Sequence, residues 1–581
     1  MNDESTTSLW IYEPPAPDLT ERLARDASIP DWIAGMLVKR GIDDADKLQG
    51  WLNPKLASLR DPFMLPDMDA AVDRLLLAIE RKERITVFGD YDVDGLTSTT
   101  LMASVLKKTG VPVEVFLPHR MDEGYGLSGE ALKRCVEETQ PRLIVTVDCG
   151  TSSADAVRAA KKAGVDVIVT DHHEPGPEIA PAIAVINPRR GSDEASHVLA
   201  GVGVAFKLAH ALLKRARSLS NSPSWAQFDP RQLLDLVALG TVADMVPLIH
   251  ENRILVAHGL KHLDRTTRAG LRALIDVAGI DNEVGTYEVG FQLGPRLNAA
   301  GRLDSALLAL ELLMTDDVSL ASRHARALDL ANRERRAVEK AVVSDLLGRI
   351  EARLQEKQWH AIVEHDPSWH PGVVGLAATR AVQRYHRPAI VIGADDRDRA
   401  KGSGRSVSGF HIADALEACT GHLVKHGGHA MAAGLEIEWD RVDAFREQFN
   451  ELARAHMKDT PFVPHIEVDG WVDPGKVNDR SLMLLQQCGP FGMGNPEPTW
   501  ASRELEWANA PREVGEGHLK AQLKRGPYAL EAIGFGLFKP DLPKAPLEAL
   551  FHLRIDRFRG RETIKMHLKE LRTSLPSKNA R

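Results

Sequence analysis

Four short segments of this chain combine acidic and imidazole side chains with small residues. In chain order, these side chains are Asp90, Asp92, Asp94, Asp148, Asp171, His172, His173 and Asp244. Several carboxylates can share one pocket in the ionised form only when cations neutralise them. Carboxylates combined with one or two imidazoles suit Mn²⁺ or Mg²⁺, and manganese tolerates the histidine better. The pattern therefore predicts a site for two metal ions, of the kind that hydrolyses phosphate esters.

The first segment has its acids two residues apart. In an extended loop, residues i and i+2 point the same way, so Asp92 and Asp94 are expected to reach one pocket. Gly95 is expected to let the backbone turn into a helix. Asp90 is either a metal ligand or a residue that caps the loop. His173 is interpreted as an outer hydrogen-bond donor or a phosphate contact rather than a direct ligand.

Three of the segments follow runs rich in β-branched residues, at 85–88, 143–146 and 165–169. Near-continuous apolar runs are typical of parallel strands that are buried on both faces. Ligands of open α/β sheets bind outside the carboxyl ends of the strands, so the acids should converge on one crevice. Strand and helix alternate from Ile85 to about Ile186, and helices dominate from Gly203 to about Leu263. This alternation predicts a parallel, doubly wound sheet.

The pattern of the rest of the sequence predicts an α/β protein with several domains. A periodic stretch, roughly 318–357, indicates one long helix or two broken ones, which would bridge two domains or form a coiled-coil arm. A Gly-rich second α/β unit and a small OB-like β-barrel of short strands follow it. The expected layout is a helical segment at 1–60, a catalytic α/β domain at 61–275, a connecting segment with the long helix at 276–358, a second α/β domain at 359–455 and the barrel at 456–581.

Composition narrows the class of protein. The 581 residues contain four widely spaced cysteines, which match no zinc spacing and fit a reducing compartment. The N-terminus has no signal-peptide pattern and there is no long apolar run, so a cytoplasmic protein with no membrane partner is expected. The net charge of −8 argues against a uniformly basic nucleic-acid coat. Residues 551–581 nevertheless hold nine Lys/Arg against three acids, either as a solvated tail or as a strip that tracks phosphates.

Taken together, the acidic segments resemble the DHH phosphoesterase superfamily. The motifs are the D-x-D of Asp92 and Asp94, the V-D-C-G of Asp148, the Asp-His-His triplet and the T-V-A-D that ends at Asp244. The resemblance continues through the runs 294–302 and 488–496 and through a Gly-Gly-His motif at 427–429, which is similar to the DHH-associated domain DHHA1. Over its whole length the chain resembles the single-stranded-DNA-degrading exonucleases of this superfamily, which are longer than its oligoribonucleases and manganese pyrophosphatases.

The resemblance implies a ligand set and a catalytic set. The implied metal ligands are Asp92, Asp94, Asp148, His172 and Asp244, with Asp148 as the bridge between two ions, and the catalytic set adds His173. Manganese pyrophosphatases of the superfamily carry a histidine four residues before the first D-x-D aspartate, where this chain has Phe88. One metal site must therefore be built differently, and Asp90 is the candidate substitute.

The resemblance also implies stepwise 5′→3′ degradation of single-stranded DNA to 5′-mononucleotides, in recombination and repair. A guanidinium fork and closely approaching backbone N–H groups both suit a phosphate. The expected substrate-binding residues are Arg296, Asn298, Arg302, Ser403, Arg405, Ser406, Gly427, Gly428 and His429. For the two arginines of the 294–302 run, surface solvation or an ion pair is the alternative, and for the glycines it is simple loop geometry.

Selectivity for single strands would be geometric, in a channel between the two α/β domains that is too narrow for a duplex. Trp471, Phe491 and Trp500 would stack on bases or, as the favoured interpretation, belong to the barrel core. A single-strand-binding protein and a helicase are the implied classes of partner. A cleft within one chain makes a monomer the simpler expectation.

Three other functions remain open at this point. A DHH phosphodiesterase for short oligonucleotides or cyclic dinucleotides would not need the C-terminal barrel. A non-catalytic DNA-binding or replication-scaffold protein would not need the clustered carboxylates, which destabilise a pocket without cations. A HAD-like phosphatase would leave the Asp-His-His triplet unexplained.

Overall fold

The computed structural model describes residues 8–118, 126–303, 306–356, 359–394, 399–456, 464–558 and 561–574, with backbone only at 300–303, 355–356, 557–558 and 561–562. The chain forms two compact units. One contains 295–308 and 325–466, and the other contains 10–294, 309–324 and 467–581. The predicted domain limits at 60, 275, 358 and 455 stay predictions.

The first sheet of the larger unit is parallel throughout, as predicted. Its strands are β2 (Ile85–Phe88), β3 (Val113–Phe116), β4 (Leu143–Val147), β5 (Asp166–Thr170) and β6 (Ala184–Ile186). They lie in the order β3-β2-β4-β5-β6, so the chain reverses its direction of winding between β2 and β4. Loops leave the sheet in opposite directions at such a point and open a crevice there. The acids after β2 and after β4 therefore face the same crevice.

Helices surround this sheet, and the predicted helical region after β6 is confirmed. They are α4 (Met68–Glu80), α5 (Val93–Lys108), α6 (Gly129–Thr139), α7 (Ala154–Lys162), α8 (Gly201–Arg217), α9 (Leu234–Ala243), α10 (His250–Asp264) and α11 (Ala269–Ala278). α5 packs on both α8 and α9. Nearly every side chain of α5 is buried, which holds the acid loop before it in a fixed position.

The barrel of the larger unit is closed. Its strands are β13 (Gly470–Trp471), β14 (Trp500–Trp507), β15 (Arg512–Val514), β16 (His518–Arg525), β17 (Tyr528–Gly534), β18 (Leu547–Phe558) and β19 (Arg561–Thr573). Closure results because β14 pairs with β18 on one side and with β16 on the other. The predicted OB-like barrel is thus confirmed, with α19 (Asp479–Gln487) beside it.

The N-terminal helices share one hydrophobic core with the barrel. These helices are α1 (Pro17–Ala27), α2 (Asp31–Lys39) and α3 (Ala45–Leu52). The indole of Trp500 is buried and meets the ring of Trp32 edge-on, with ring centroids 4.7 Å apart. Trp500 is therefore a core residue and cannot stack on a base.

The smaller unit holds a mixed five-stranded sheet. Its strands are β7 (Ile362–Asp366), β8 (Ala389–Ala394), β9 (Ala400–Arg405), β10 (Leu423–Gly428) and β11 (Ala432–Ile437), in the order β10-β11-β9-β8-β7. Among the neighbouring pairs of these strands, β7 and β8 pair in parallel and the other three pairs are antiparallel. The flanking helices are α16 (Pro371–Tyr385), α17 (Ile412–Glu417) and α18 (Val442–His456).

The predicted long helix exists as one element, α15 (Val318–Glu356). The segment before it contains α12 (Thr286–Glu288), a π-helical stretch (Val289–Leu293), α13 (Gly294–Leu303) and α14 (Leu307–Met314). The short strands β1 (Leu9–Ile11) and β12 (His465–Glu467) complete the set of strands in the described ranges. Within those ranges no helix combines the length and apolarity that a bilayer crossing requires.

Candidate metal centre

The loop after β2 supplies three acids, but not in the way that their spacing predicts. Asp92 is the N-cap of α5 and accepts a 3.1 Å hydrogen bond from the amide of Gly95, and Asp94 already lies in the first helical turn. The expectation that Asp92 and Asp94 align along an extended loop is therefore wrong. Gly95 is required for close packing rather than for a turn, because a Cβ there would collide with the backbone carbonyl of Asp90.

The N-terminus of α8 fixes the carboxylate of Asp94. The amides of Gly201 and Val202 donate hydrogen bonds of 2.6 and 2.8 Å to its two oxygens. The first amides of a helix lack intrahelical partners and carry partial positive charge, so they suit a carboxylate. Asp94 is thus held in one orientation while its oxygens still face the crevice.

Asp148 follows β4 in a strained backbone conformation. Its φ of 63° lies in the left-handed region, which is uncommon for a residue other than glycine. Such strain persists only where the surrounding structure imposes it, and it is concentrated at functional sites. The carboxylate of Asp148 is buried next to the Cα of Gly201.

Three carboxylates surround the imidazole of His172. Its Nε2 lies 3.2 Å from Oδ1 of Asp148, 3.6 Å from Oδ2 of Asp244 and 3.8 Å from Oδ2 of Asp94. Asp244 is the C-cap of α9, so the fourth segment reaches the crevice from a helix end rather than from a strand. The structure therefore joins residues from four distant parts of the chain.

The ligand atoms form three overlapping groups, and within each group they lie within 4.8 Å of one another. The groups are Asp94, His172 and Asp244; Asp90, Asp92 and Asp148; and Asp148, His172 and His173. The first two share no residue, which suits two separate cations. Asp90 falls in the group that lacks a histidine, and its role as a substitute ligand stays a prediction.

Burial and mutual repulsion act on the carboxyl groups together. Burial, and then the charge of Asp92, raise the pKa values of Asp90 and Asp94 to about 7. Burial, and then Asp94, raise the pKa of Asp244 to about 9 and that of Asp148 well above its usual value. Protons or cations must therefore balance the charge of this cluster at neutral pH.

His172 provides a neutral nitrogen to the cluster. Burial, and then the charge of His173, lower the pKa of His172 to about 3. Its Nε2 makes no hydrogen bond to any residue in the described ranges, and neither does Oδ2 of Asp244. A buried nitrogen lone pair and a buried carboxylate oxygen without donors are the atoms that a cation would use. The donor set fits Mn²⁺ or Mg²⁺.

Asp171 holds the two histidines in place, a role that sequence reasoning missed. Its Oδ1 lies 2.8 Å from Nδ1 of His173 and also accepts the amides of both histidines, while Oδ2 accepts the amide of Thr151. Burial alone would raise the pKa of Asp171, but the bond to His173 and the amides lower it below its usual value. Burial alone would lower the pKa of His173, but Asp171 raises it. The only sequence signal was the adjacency of this acid to two histidines.

In the smaller unit, Arg405 and Ser403 lie together at the end of β9. The guanidinium of Arg405 donates to Ser403 Oγ at 3.1 Å and to the carbonyl of Gly404 at 2.8 Å. No carboxylate of the described residues forms an ion pair with it, and burial lowers its pKa. Gly375 of α16 faces both side chains. A partly buried guanidinium with this environment suits an anion.

Other residues of the smaller unit that were expected to bind substrate have surroundings that differ from the prediction. The hydroxyl of Ser406 is buried and donates to the carbonyl of Phe410 at 2.6 Å. Gly427 and Gly428 lie in β10 rather than in a turn, where Gly428 lets the strand approach Ala433. His429 is exposed, and its amide donates to the carbonyl of Ala432 at 2.8 Å.

The predicted contacts on α13 are less accessible than expected. Arg296 forms an ion pair with Asp329 at 3.0 Å, which is the alternative that its sequence context left open. Arg333 approaches the same carboxylate at 2.6 Å. Asn298 is partly exposed, and Arg302 lies in α13 with a side chain outside the described set.

Comparisons with known proteins agree with this arrangement. The sequence matches the DHH family, N-terminal domain, over residues 84–241, the DHHA1 domain over 357–455 and the RecJ OB domain over 468–570. It is 37% identical to the single-stranded-DNA-specific exonuclease RecJ of Bacillus subtilis, over 97% of this chain and 71% of that one. It is 36% identical to the RecJ of Escherichia coli, over 93% of this chain and 95% of that one.

Solved structures show the same similarity in three dimensions. The crystal structure of RecJ from Thermus thermophilus in complex with Mn²⁺ aligns with a TM-score of 0.83 and 30% identity, over 98% of this chain and 80% of that one. The Mg²⁺ complex of that protein aligns with a TM-score of 0.77 and 28% identity, over 98% and 79% of the two chains.

Proposed function

This chain belongs to the RecJ family of single-stranded-DNA-specific exonucleases, and from that premise we propose that it hydrolyses single-stranded DNA from the 5′ end. The products are 5′-mononucleotides, and the biological setting is DNA recombination and repair. One observation carries the proposal: a buried cluster of carboxylates and one neutral imidazole lies where the winding of the parallel sheet reverses.

We assign two cation sites to this cluster. Asp94, His172 and Asp244 would hold one Mn²⁺ or Mg²⁺, Asp90 and Asp92 would hold the other, and Asp148 would serve both. The chemistry that two divalent cations supply in such a site is Lewis-acid activation of water and neutralisation of phosphate charge. The raised pKa values of the carboxyl groups support this assignment, because cations would replace the bound protons.

His173 would bind the scissile phosphate rather than a cation. Its Nδ1 faces Asp171, and this contact raises the pKa of the imidazole. A protonated His173 can donate from Nε2 to a phosphate oxygen while Asp171 fixes the orientation of the ring. This role agrees with the expectation of an outer donor or phosphate contact.

Arg405 and Ser403 would bind the phosphate at the 5′ end of the strand. The guanidinium is partly buried and has polar neighbours but no ion-pair partner among the described residues. The residues of the Gly-Gly-His motif and of α13 stay in the proposal as outer contacts of the strand. Among the described side chains of this set, that of His429 is exposed.

The alternative activity on short oligonucleotides or cyclic dinucleotides gains no support. The relatives that match this chain over nearly its full length, barrel included, carry the name of single-stranded-DNA-specific exonucleases. A helicase and a single-strand-binding protein as partners, a monomeric state and a cytoplasmic location complete the proposal. Four buried, unpaired cysteine thiols suit a reducing compartment.

A time course on a 5′-labelled 30-mer tests the activity, the metal requirement and the polarity together. The strand is supplied single-stranded or as a duplex, with Mn²⁺, Mg²⁺ or a chelator. We expect labelled mononucleotide from the first time point, from the single strand only, and none with the chelator. A ladder of shortened labelled strands would overturn the 5′→3′ polarity. Hydrolysis of dinucleotides without digestion of the 30-mer would overturn the exonuclease assignment.

A further inference from the structure

Two aromatic rings lie exposed and stacked on the surface of the larger unit. The ring centroids of Tyr287 and Phe291 are 5.0 Å apart and the ring planes are inclined by 29°. Tyr287 is 60% exposed and Phe291 is 71% exposed, although rings of this size are usually more buried. The pair therefore leaves a flat apolar surface in contact with water.

The helical segment that carries the rings packs against α9, the helix that ends at Asp244 of the metal cluster. Phe291 lies in the π-helical stretch, which packs against α9. A Cβ at Gly294, the next residue after this stretch, would lie 3.6 Å from the Cβ of Ala243, which precedes Asp244. Helices rise about 1.5 Å per residue, so the rings lie about 5 and 10 Å along the axis from that contact. Only this short part of the segment separates the rings from the helix end that carries Asp244.

Local contacts hold the ring pair in place. The carboxylate of Glu288 accepts the amide of Gly285 at 2.9 Å and so caps the helix that bears Tyr287. The hydroxyl of Thr286 donates to the carbonyl of Phe491 at 2.8 Å, which ties the segment to the loop between α19 and β14. The guanidinium of Arg554 on β18 lies within electrostatic range of Tyr287 and is ion-paired with the carboxylate of Glu497. The helical segment that carries the rings is thus held by its own cap and by the contact of Thr286 with Phe491.

We propose that Tyr287 and Phe291 form a stacking platform for unpaired bases of the DNA strand, a few nucleotides from the scissile phosphate. Every base presents a π-face, so such a platform tolerates any sequence. Bases within a duplex stack on one another and cannot use it, so the platform adds to the preference for single strands. This inference rests on the proposed exonuclease activity and adds a binding site to it.

The test compares a long with a very short substrate. In the double variant Tyr287→Ala and Phe291→Ala, we expect the KM for a 30-mer to rise about tenfold or more, because loss of one base–ring stack weakens binding by roughly 5- to 150-fold. Hydrolysis of a dinucleotide should be unchanged, because a dinucleotide does not reach the platform. The conservative variants Tyr287→Phe and Phe291→Tyr should keep the wild-type KM. Ile183→Ala is the matched control. It removes an exposed apolar side chain at the amino end of β6, whereas the metal cluster lies at the carboxyl ends of the parallel strands.

A second experiment changes the DNA instead of the protein. A 30-mer that carries abasic nucleotides at its second to sixth positions should show the raised KM with the wild-type enzyme and no further rise with the double variant. An unchanged KM in a double variant that melts like the wild type would overturn the proposal. So would a change of oligomeric state in light scattering without a change in KM, which would make the pair a contact between copies of this chain.

Two remaining outcomes are also informative. If the double variant fails to fold, the abasic substrate with the wild-type enzyme decides, and an unaltered KM there overturns the proposal. If the wild-type enzyme digests no 30-mer at all, the proposed exonuclease activity fails, which is distinct from a loss confined to the variants.

Discussion

The Cα of Gly201 faces the carboxylate of Asp148 so closely that a methyl group would not fit between them. A Cβ at position 201 would lie 2.5 Å from Oδ1 of Asp148, and the amide of the same glycine donates a 2.6 Å hydrogen bond to Asp94. One residue at the start of α8 therefore positions carboxylates from two different loops. No contact of this kind can be recognised from the residue types alone.

Gly201→Ala should displace the carboxylate of Asp148 and weaken cation binding. We expect affinity for Mn²⁺ to fall by about 10- to 100-fold, the range found when groups that orient metal ligands are removed. Activity should recover in part at high Mn²⁺, and the KM for DNA should change little. Calorimetric titration with Mn²⁺ and activity as a function of Mn²⁺ concentration measure the two effects.

Gly129→Ala is the matched control for this substitution. Gly129 is also the first residue of a helix, α6, and a Cβ there would meet no atom within 4 Å. Wild-type metal affinity in Gly201→Ala, or an equal loss in both variants, would contradict the positioning role.

Asp148→Asn should reduce nuclease activity to background while single-stranded DNA still binds. The same change should stabilise the metal-free protein, because it removes a buried carboxyl group that must take up a proton when the chain folds near neutral pH. We expect the melting temperature of the variant in chelator to exceed that of the wild type by roughly 2–4 °C. In saturating Mn²⁺, this difference in melting temperature should shrink or reverse. The exposed Asp281→Asn serves as the control and should change neither property. Retained nuclease activity would disprove the assignment of Asp148 as a shared ligand.

Removal of metal should make stability depend on pH. The pKa values of Asp90 and Asp94 are raised to about 7 and that of Asp244 to about 9, so the metal-free folded protein binds protons that the unfolded chain releases near pH 4. The stability from these protons is fully present below about pH 4 and is lost as pH rises through the folded pKa values.

The melting temperature in chelator should accordingly fall between pH 6 and pH 9, and saturating Mn²⁺ should flatten this decline. Binding of Mn²⁺ should also release protons, more at pH 6 than at pH 9. Calorimetry in buffers of different ionisation enthalpy measures that release. A melting temperature that does not respond to pH without metal would count against the raised pKa values.

Arg405→Ala should raise the KM for 5′-phosphorylated single strands by about tenfold or more, because a charge-assisted contact to phosphate is lost. The preference for a 5′-phosphate over a 5′-hydroxyl should fade with it. Arg405→Lys should rescue only part of the affinity, since an ammonium cannot form the two-pronged contact of a guanidinium. Arg380→Ala, an exposed arginine of the same domain, is the control. An unchanged preference in Arg405→Ala would remove this residue from the phosphate site.

The sequence alone determined much of the local structure and most of the candidate chemistry. The buried apolar runs predicted β2, β4 and β5, and the acids that follow them lie at the carboxyl ends of these strands, as expected. These predictions succeed because strand period and burial act over a few neighbouring residues. The long helix α15 was predictable for the same reason, from an unbroken stretch of strong helix formers.

Tertiary structure decided which of these residues meet. The order of the strands, with the reversal between β2 and β4, brings Asp90 and Asp148 to one crevice, and a helix end rather than a strand delivers Asp244. The N-terminal helices, predicted as a separate segment, share a core with the barrel. Such contacts join residues far apart in the chain, and their free energy depends on packing that no local window of sequence contains.

The dependence on contacts between distant parts of the chain also explains why sequence reasoning misinterpreted some residues and missed others. A Ser-Gly-Arg-Ser pattern does not reveal that Ser406 donates to the carbonyl of Phe410 while Arg405 has no ion-pair partner among the described residues. Side-chain types determine what chemistry a chain can perform. Only the folded backbone sets the few ångströms between Gly201 and Asp148, because that gap depends on how a loop after β4 and the start of α8 pack against each other.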